Sequence, residues 1–134
     1  MRSDTIQVRT GSRPTVHDLT AECTAFVRSE QDGMLGVFVP HATAGVAVIE
    51  TGAGSDDDLL AALENLLPRD ASWQHRHGSA GHGRDHVLPA FIAPSLIVPV
   101  LAGRLQLGTW QSICLVDTNV DNAIREVRLS FLPG

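Results

Sequence analysis

The chain has 134 residues, 43% of them hydrophobic and 19% charged, with 10 basic against 15 acidic side chains and a formal net charge of −5. That length and polarity describe one globular domain over 1–134, and an acidic chain with four Phe, two Trp and no Tyr has neither the basic stripe nor the stacking platform of a nucleic-acid binder. All ten basic residues are arginine, which excludes a Schiff-base lysine and a Walker-type phosphate loop.

Met1-Arg2-Ser3-Asp4 leads into polar alternation rather than the apolar core of a secretory signal, so the expected location is cytoplasmic. Thr5–Thr10 alternates as a half-buried strand and Gly11-Ser12-Arg13-Pro14 ends it. From Thr15, read as an N-cap, Val16, Leu19, Cys23, Phe26 and Val27 follow helical spacing. Met34–Val39 and Gly45–Ile49 are β-branched runs joined by the short connection Pro40-His41-Ala42-Thr43-Ala44.

Ser55 is the expected N-cap of a second helix, with Asp56, Asp57 and Asp58 in its first turn and Leu59, Leu60, Leu63, Leu66 and Leu67 as its apolar face before Pro68. Residues Ala71–Asp85 are rich in Gly and His without sustained period, the mark of a functional loop. A short helical stretch around Val87–Ile92 precedes three runs, Leu96–Leu101, Arg104–Val116 and Arg125–Phe131, read as a C-terminal antiparallel meander. Apolar runs such as Phe91–Leu101 are broken by Pro94 and Pro99 and are too short to cross a bilayer, so no membrane partner is expected. The sum is an α+β fold, largely antiparallel β-sheet or sandwich with two main helices. Cys23 and Cys114 form no C-x-x-C unit and are read as buried free thiols.

Four of six histidines, His75, His77, His82 and His86, fall within twelve residues beside Asp85, and neutral imidazole is the ligand of Zn, Fe, Ni and Cu. His82 and His86 are spaced for one helical face, but Pro89 would leave the Asp85 carbonyl without its helical donor, so an irregular turn is expected. There is no H-E-x-x-H motif of a zincin protease. His41-Ala42-Thr43-Ala44-Gly45 offers a side chain and backbone donors at a strand end, suited to an anion or metal site and equally to an ordinary connection. Glu50 ends the next strand, as a general base, a metal ligand or a solvated strand end. At least two of the three Asp residues at 56–58 are explained by the helix dipole. Asp117–Asn122 begins like a calcium loop but carries Asn122 at the sixth position and Arg128 at the twelfth, so a hairpin turn is expected. Gly108-Thr109-Trp110-Gln111 interrupts an apolar stretch, as a bulge or a place of close approach.

Taken together, His41-Ala42-Thr43-Ala44-Gly45 running to Glu50, Asp58 before a leucine helix ending at Pro68, His75 and His86 eleven apart, and Gly103-Arg104-Leu105-Gln106-Leu107-Gly108-Thr109-Trp110-Gln111 resemble the YjbQ-like family, also labelled secondary thiamine-phosphate synthase. The resemblance, from about Thr5 to Gly134, implies a homotrimer with sites near subunit interfaces. It implies weak condensation of hydroxymethylpyrimidine diphosphate with thiazole phosphate, with loss of pyrophosphate. By position it assigns His41, Glu50, Asp58, His75 and His86 to the family's polar site and Thr109, Trp110 and Gln111 to its second signature. Where many members carry a carboxylate and then Asp or Asn between the two histidines, this chain has Gly78 and His82, which shifts the donors from oxygen to nitrogen and favours Zn over Mg as the divalent ion.

The resulting expectation is a trimeric metal enzyme acting on a small phosphorylated metabolite. His75, His82 and His86 are its ligands, with His77, Asp58 and Asp85 as open additions, and His41 and Glu50 are its catalytic pair. Thr43, Arg104, Thr109, Trp110 and Gln111 contact the substrate, and Arg76 and Arg84 are further phosphate candidates by proximity in sequence. The alternatives are a metal-dependent hydrolase of a small substrate and a non-catalytic metal- or ligand-binding trimer.

Overall fold

The C-terminal strand organises the molecule. In this computed structural model, which describes residues 1–134, residues Arg125, Val127, Leu129 and Phe131 alternate inward along the last strand, Ile124–Pro133. That strand runs antiparallel between the first strand, Arg2–Arg9, and a third, Gly33–Phe38. In chain order the strands are β1 (Arg2–Arg9), β2 (Thr15–Asp18), β3 (Gly33–Phe38), β4 (Ala44–Ile49), β5 (Ser95–Leu101), β6 (Arg104–Leu105), β7 (Ser112–Asp117) and β8 (Ile124–Pro133), with α1 at Thr20–Val27 and α2 at Ser55–Leu66. Two sheets result, β1-β8-β3-β5-β6 and β2-β7-β4, every pair antiparallel.

The sheets face each other across a core that joins Leu35, Val37, Val98, Val100, Val127 and Leu129 to Val46, Ile113 and Leu115, with Leu19, Cys23, Phe26 and Val27 of the α1 region in the same cluster. The outer face of the three-stranded sheet is also covered: Val116 packs with Leu63 and Leu67 of the α2 segment and with Leu88. Burial on both faces is why β7 reads Ile-Cys-Leu-Val without polar alternation. The α+β, largely antiparallel architecture is as expected, and no helix is long and apolar enough to cross a membrane.

Local details differ from the sequence reading for identifiable reasons. Thr15 is no helix cap: Thr15–Asp18 is β2, paired with β7, and α1 starts only after Asp18 Oδ1 accepts the Thr20 N–H at 2.8 Å. Ser55 is the first residue of α2 and Gly54, at φ 97°, is the cap, a left-handed conformation natural to glycine. Leu66 stays more than half exposed, so the buried stripe of α2 is Leu59, Leu63 and Leu67. The run Arg104–Val116 is two strands, β6 and β7, in different sheets, separated by a turn that the Gln111 N–H closes on the Gly108 carbonyl at 3.0 Å. The C-terminal third is therefore not a meander, and Asp117–Asn122 crosses between sheets instead of closing a hairpin.

Both cysteines are buried and free. Burial, reinforced by nearby acidic groups, pushes each thiol from the ordinary value near 9 up to about 12. Native protein at pH 8 is thus expected to resist a thiolate-selective disulfide reagent that consumes two thiols per chain after unfolding. Because both folded-state values are raised, their contribution to stability is complete below about pH 9 and declines from there toward pH 12. Alkaline titration of the melting temperature checks the sign.

Candidate metal centre

The segment after α2 is shaped by close packing. Pro68 stops the helix and its carbonyl accepts the Trp73 indole N–H at 2.9 Å. The Arg69 guanidinium donates to the carbonyls of Ala80 at 3.3 Å and Thr118 at 3.1 Å, clipping both ends of the loop to the β7–β8 connection. The glycines are there because there is no room for more: a Cβ on Gly83 would stand 2.6 Å from the His75 carbonyl oxygen and 2.7 Å from Trp73 Cβ. Residues His82–His86 form a 3-10 turn, the irregular turn expected from Pro89.

This fold of the loop gathers His75, His77, His82 and His86 so that one nitrogen of each lies within 4.8 Å of the others. His75 stacks at 4.0 Å between centroids on both His77 and His86, and Nε2 of His82 is 2.8 Å from Nε2 of His86. His82 Nδ1 contacts Asp121 Oδ2 at 2.9 Å, and that oxygen also accepts the N–H and the hydroxyl of Ser79, each at 3.1 Å. The Asn119 amide nitrogen lies 3.2 Å from the same ring nitrogen, but the shorter contact and negative charge of Asp121 place the proton on Nδ1. His82 Nε2 is thereby left with its lone pair toward the other histidines. Chiefly the Ser79 backbone N–H, then its hydroxyl and His82, hold the Asp121 carboxyl below the usual carboxylate range.

Burial, followed by the neighbouring histidines, pushes His75 and His86 below the ordinary imidazole value. His75 Nε2 is buried without a hydrogen-bond partner. Close-set imidazoles with an orphaned buried nitrogen fit a divalent transition ion, and an all-nitrogen donor set suits Zn and not Mg. Asp121→Ala is expected to weaken Zn binding about 10–100-fold by freeing the His82 ring, as read by competition with a chromophoric chelator.

Beside the histidines opens a cleft of about 350 Å³, lined by His77, His82 and His86 together with His41, Thr43 and Arg125. One of its lining residues, Arg125, belongs to a buried ion pair. Arg125 donates to Asp117 at 2.7 and 3.0 Å and to Thr43 Oγ1 at 2.8 Å, joining the start of β4, the end of β7 and the start of β8. His41 Nε2 accepts the Glu126 backbone N–H at 2.9 Å, and burial, then Arg125, lowers the tendency of the ring to protonate.

His75, His82 and His86 are thus brought together with His77 as a fourth member, and His41 and Thr43 line the same cleft as His77, His82 and His86. The remaining expected site residues lie elsewhere in this chain. Ile49 pairs with Ser112 at the end of the three-stranded sheet opposite Ala44 and Asp117, so exposed Glu50 and the exposed turn of Thr109, Trp110 and Gln111 stand about 20 Å from the cleft. Gln111 Oε1 accepts the Gly108 N–H at 2.7 Å, and Arg104 is exposed on the edge strand β6.

Arg84 does not reach the cleft: it is buried in an ion pair with Glu64 and donates to the Leu67 carbonyl at 3.2 Å. Arg76 is tied to the Trp73 carbonyl at 3.0 Å. Asp85 is fully buried, accepting the Thr118 hydroxyl at 2.6 Å, and is not among the four clustered ligands. Arg125, Asp117, Asn119 and Asp121 escaped the sequence reading. The signal for the last three was the Asp-Thr-Asn-Val-Asp run, whose side chains cap successive backbone N–H groups, Asp117 on Asn119 at 3.0 Å and Asn119 on Asp121 at 2.6 Å.

A family model described as "UPF0047 protein YjbQ-like" matches residues 4–134. The UPF0047 protein Rv2556c of Mycobacterium tuberculosis is 60% identical over 134 residues, all of both chains. The UPF0047 protein YugU of Bacillus subtilis is 34% identical over 116 residues, covering 81% of this chain and 83% of the relative. Among solved structures, hypothetical protein APE1520 of Aeropyrum pernix K1 superposes with a TM-score of 0.91 at 31% identity over all of both chains. A protein of unknown function, SSO2532 of Sulfolobus solfataricus P2, gives 0.92 at 26% identity over 99% of this chain and 97% of the other.

Proposed function

We propose that this chain, which belongs to the UPF0047 YjbQ-like family, is a cytoplasmic, Zn-dependent enzyme that acts on a small phosphorylated substrate as a homotrimer. The observation that carries the reading is the convergence of four histidine nitrogens within 4.8 Å, with three of the four residues lining an open cleft. When bound, the ion supplies Lewis-acid stabilisation of charge on a phosphoryl oxygen. His75, His77, His82 and His86 hold it, and Asp121 fixes the His82 ring. In the same cleft, the Arg125–Asp117 pair fixes Thr43, whose hydroxyl accepts from Arg125 and is free to donate to a ligand.

The reaction proposed is the condensation of hydroxymethylpyrimidine diphosphate with thiazole phosphate, releasing pyrophosphate, in which the site stabilises a departing polyanion and needs no covalent nucleophile. In the proposed trimer, Glu50, Arg104 and the Thr109–Gln111 turn serve the cleft of a neighbouring copy. Exposure of Trp110, at 72% in this chain, favours that arrangement.

Untagged protein, metal-stripped or Zn-loaded, incubated with the two precursors is the test. Zn-dependent appearance of thiamine phosphate and pyrophosphate is expected, and equal rates in the two forms would refute the reading. The fourth imidazole supports a second reading, a non-catalytic Zn site closed by four ligands. Cobalt substitution separates them. A spectrum that responds to added pyrophosphate indicates an open position, and an unresponsive one indicates a closed site.

A further inference from the structure

The strand ladder explains an unusual feature of His41. β8 pairs with β3 only as far as Phe38 opposite Arg128, because β3 ends before Pro40 and the chain then crosses to the other sheet. Beyond that point the backbone of β8 is open on one side. The His41 ring fills the gap, with Nε2 taking the Glu126 N–H at 2.9 Å. A backbone amide can only donate, so Nε2 must accept, and a neutral ring that accepts at Nε2 carries its hydrogen on Nδ1. Nδ1 has no partner in the chain and is not sealed from solvent, and His41 lines the same cleft as His77, His82 and His86.

We infer that His41 serves the cleft as a neutral hydrogen-bond donor through Nδ1, gripping a phosphoryl oxygen of the ligand, and is not the group that removes a proton. The inference rests on the metal-centre reading for its ligand class and on the Glu126 contact for its direction. To act as a base, the ring would need its lone pair on Nδ1 and its hydrogen on Nε2, where that hydrogen would point at the Glu126 N–H. The cleft favours the donor role, because burial first and the nearby Arg125 second disfavour an imidazolium at His41. A ligand oxygen entering here finds an uncharged N–H of fixed direction, suited to a phosphoryl oxygen and of no use to a hydroxyl that must be deprotonated.

Two measurements test this. In the metal-free protein with 15N-labelled histidine, long-range proton–nitrogen correlation should show His41 with a protonated Nδ1 and a pyridine-type Nε2, identified as the ring missing from the His41→Asn spectrum. A protonated Nε2 overturns the inference. In the Zn-loaded protein, inorganic phosphate binding should survive in His41→Asn, whose amide N–H falls near the position of Nδ1–H. It should weaken about 10-fold or more in His41→Phe, the loss of one hydrogen bond to a charged group. Equal weakening in both variants, or no phosphate binding by the Zn-loaded wild type, also overturns it. A protein that takes up no Zn yet shows the Nδ1–H tautomer refutes the metal centre and upholds the assignment of His41, so the two failures are told apart.

Discussion

Replacing Arg125 by Ala should lower stability by about 3–5 kcal/mol, the usual consequence of removing one member of a buried ion pair, and the melting temperature by roughly 10–25 °C. Arg125 and Asp117 are 1% and 0% exposed. The guanidinium meets two oxygens of Asp117 and the Thr43 hydroxyl with separate N–H groups, so truncation leaves the buried Asp117 carboxylate without its counter-charge. Lys should recover little, because one ammonium cannot reproduce the fork. The double variant Arg125→Met with Asp117→Leu removes both charges and should be markedly less damaged than Arg125→Ala. A double variant as unstable as the single would show that the contacts with Thr43, and not the uncompensated charge, dominate. Urea titrations of the four proteins decide this, and an unchanged slope against denaturant would confirm that the unfolded state is not what moved.

Zn should raise the melting temperature of the metal-free chain, with about 4 kcal/mol of added stability when free ion exceeds the dissociation constant 1,000-fold. The gain should vanish in His82→Ala and persist, reduced, in His77→Ala. His82 is the buried member of the four and His77 an exposed one, and only His82 is oriented by Asp121. Its nitrogen is therefore the best placed before any ion arrives, whereas the His77 ring must be ordered on binding. Mg at the same concentration should produce no shift, because a nitrogen donor set suits softer ions. A gain equal in wild type and His82→Ala would place the ion elsewhere.

The fold class was legible because strand alternation and the α2 leucine stripe are local signals, and the histidine loop because four imidazoles in twelve residues need no three-dimensional knowledge to notice. What failed was what depends on distant partners. Val16, Leu19, Cys23 and Phe26 satisfy helical spacing, yet the first of them belongs to a strand because β7, nearly a hundred residues onward, offers an edge. Arg104–Val116 is two apolar-rich runs around the polar interruption Gly108–Gln111, and nothing local reveals that its two ends enter different sheets. Asp121 read as a turn residue, and it is one. Its second role appears only when Gly78, at φ 78° and with room for no Cβ against Asp121 Oδ2, lets the loop close over it. Arg84 misled for the same reason in reverse, since proximity in sequence to His82 and His86 gives no information about the direction of a long side chain on a 3-10 turn.

β8 lies between β1 and β3, and its register sets Arg2 opposite Phe131. The five-stranded sheet therefore cannot grow outward from an early hairpin. Before β8 arrives, β1 has no neighbour at all, and β3 and β5 form a ribbon with one edge bare. The search for this closure spans almost the entire polypeptide, which places refolding in the slow, millisecond-to-second regime of non-local β topologies. Chains that terminate before Ile124 expose that edge together with the core residues that pack on Val127, Leu129 and Phe131, and quality-control proteases and chaperones should meet this protein chiefly in that form.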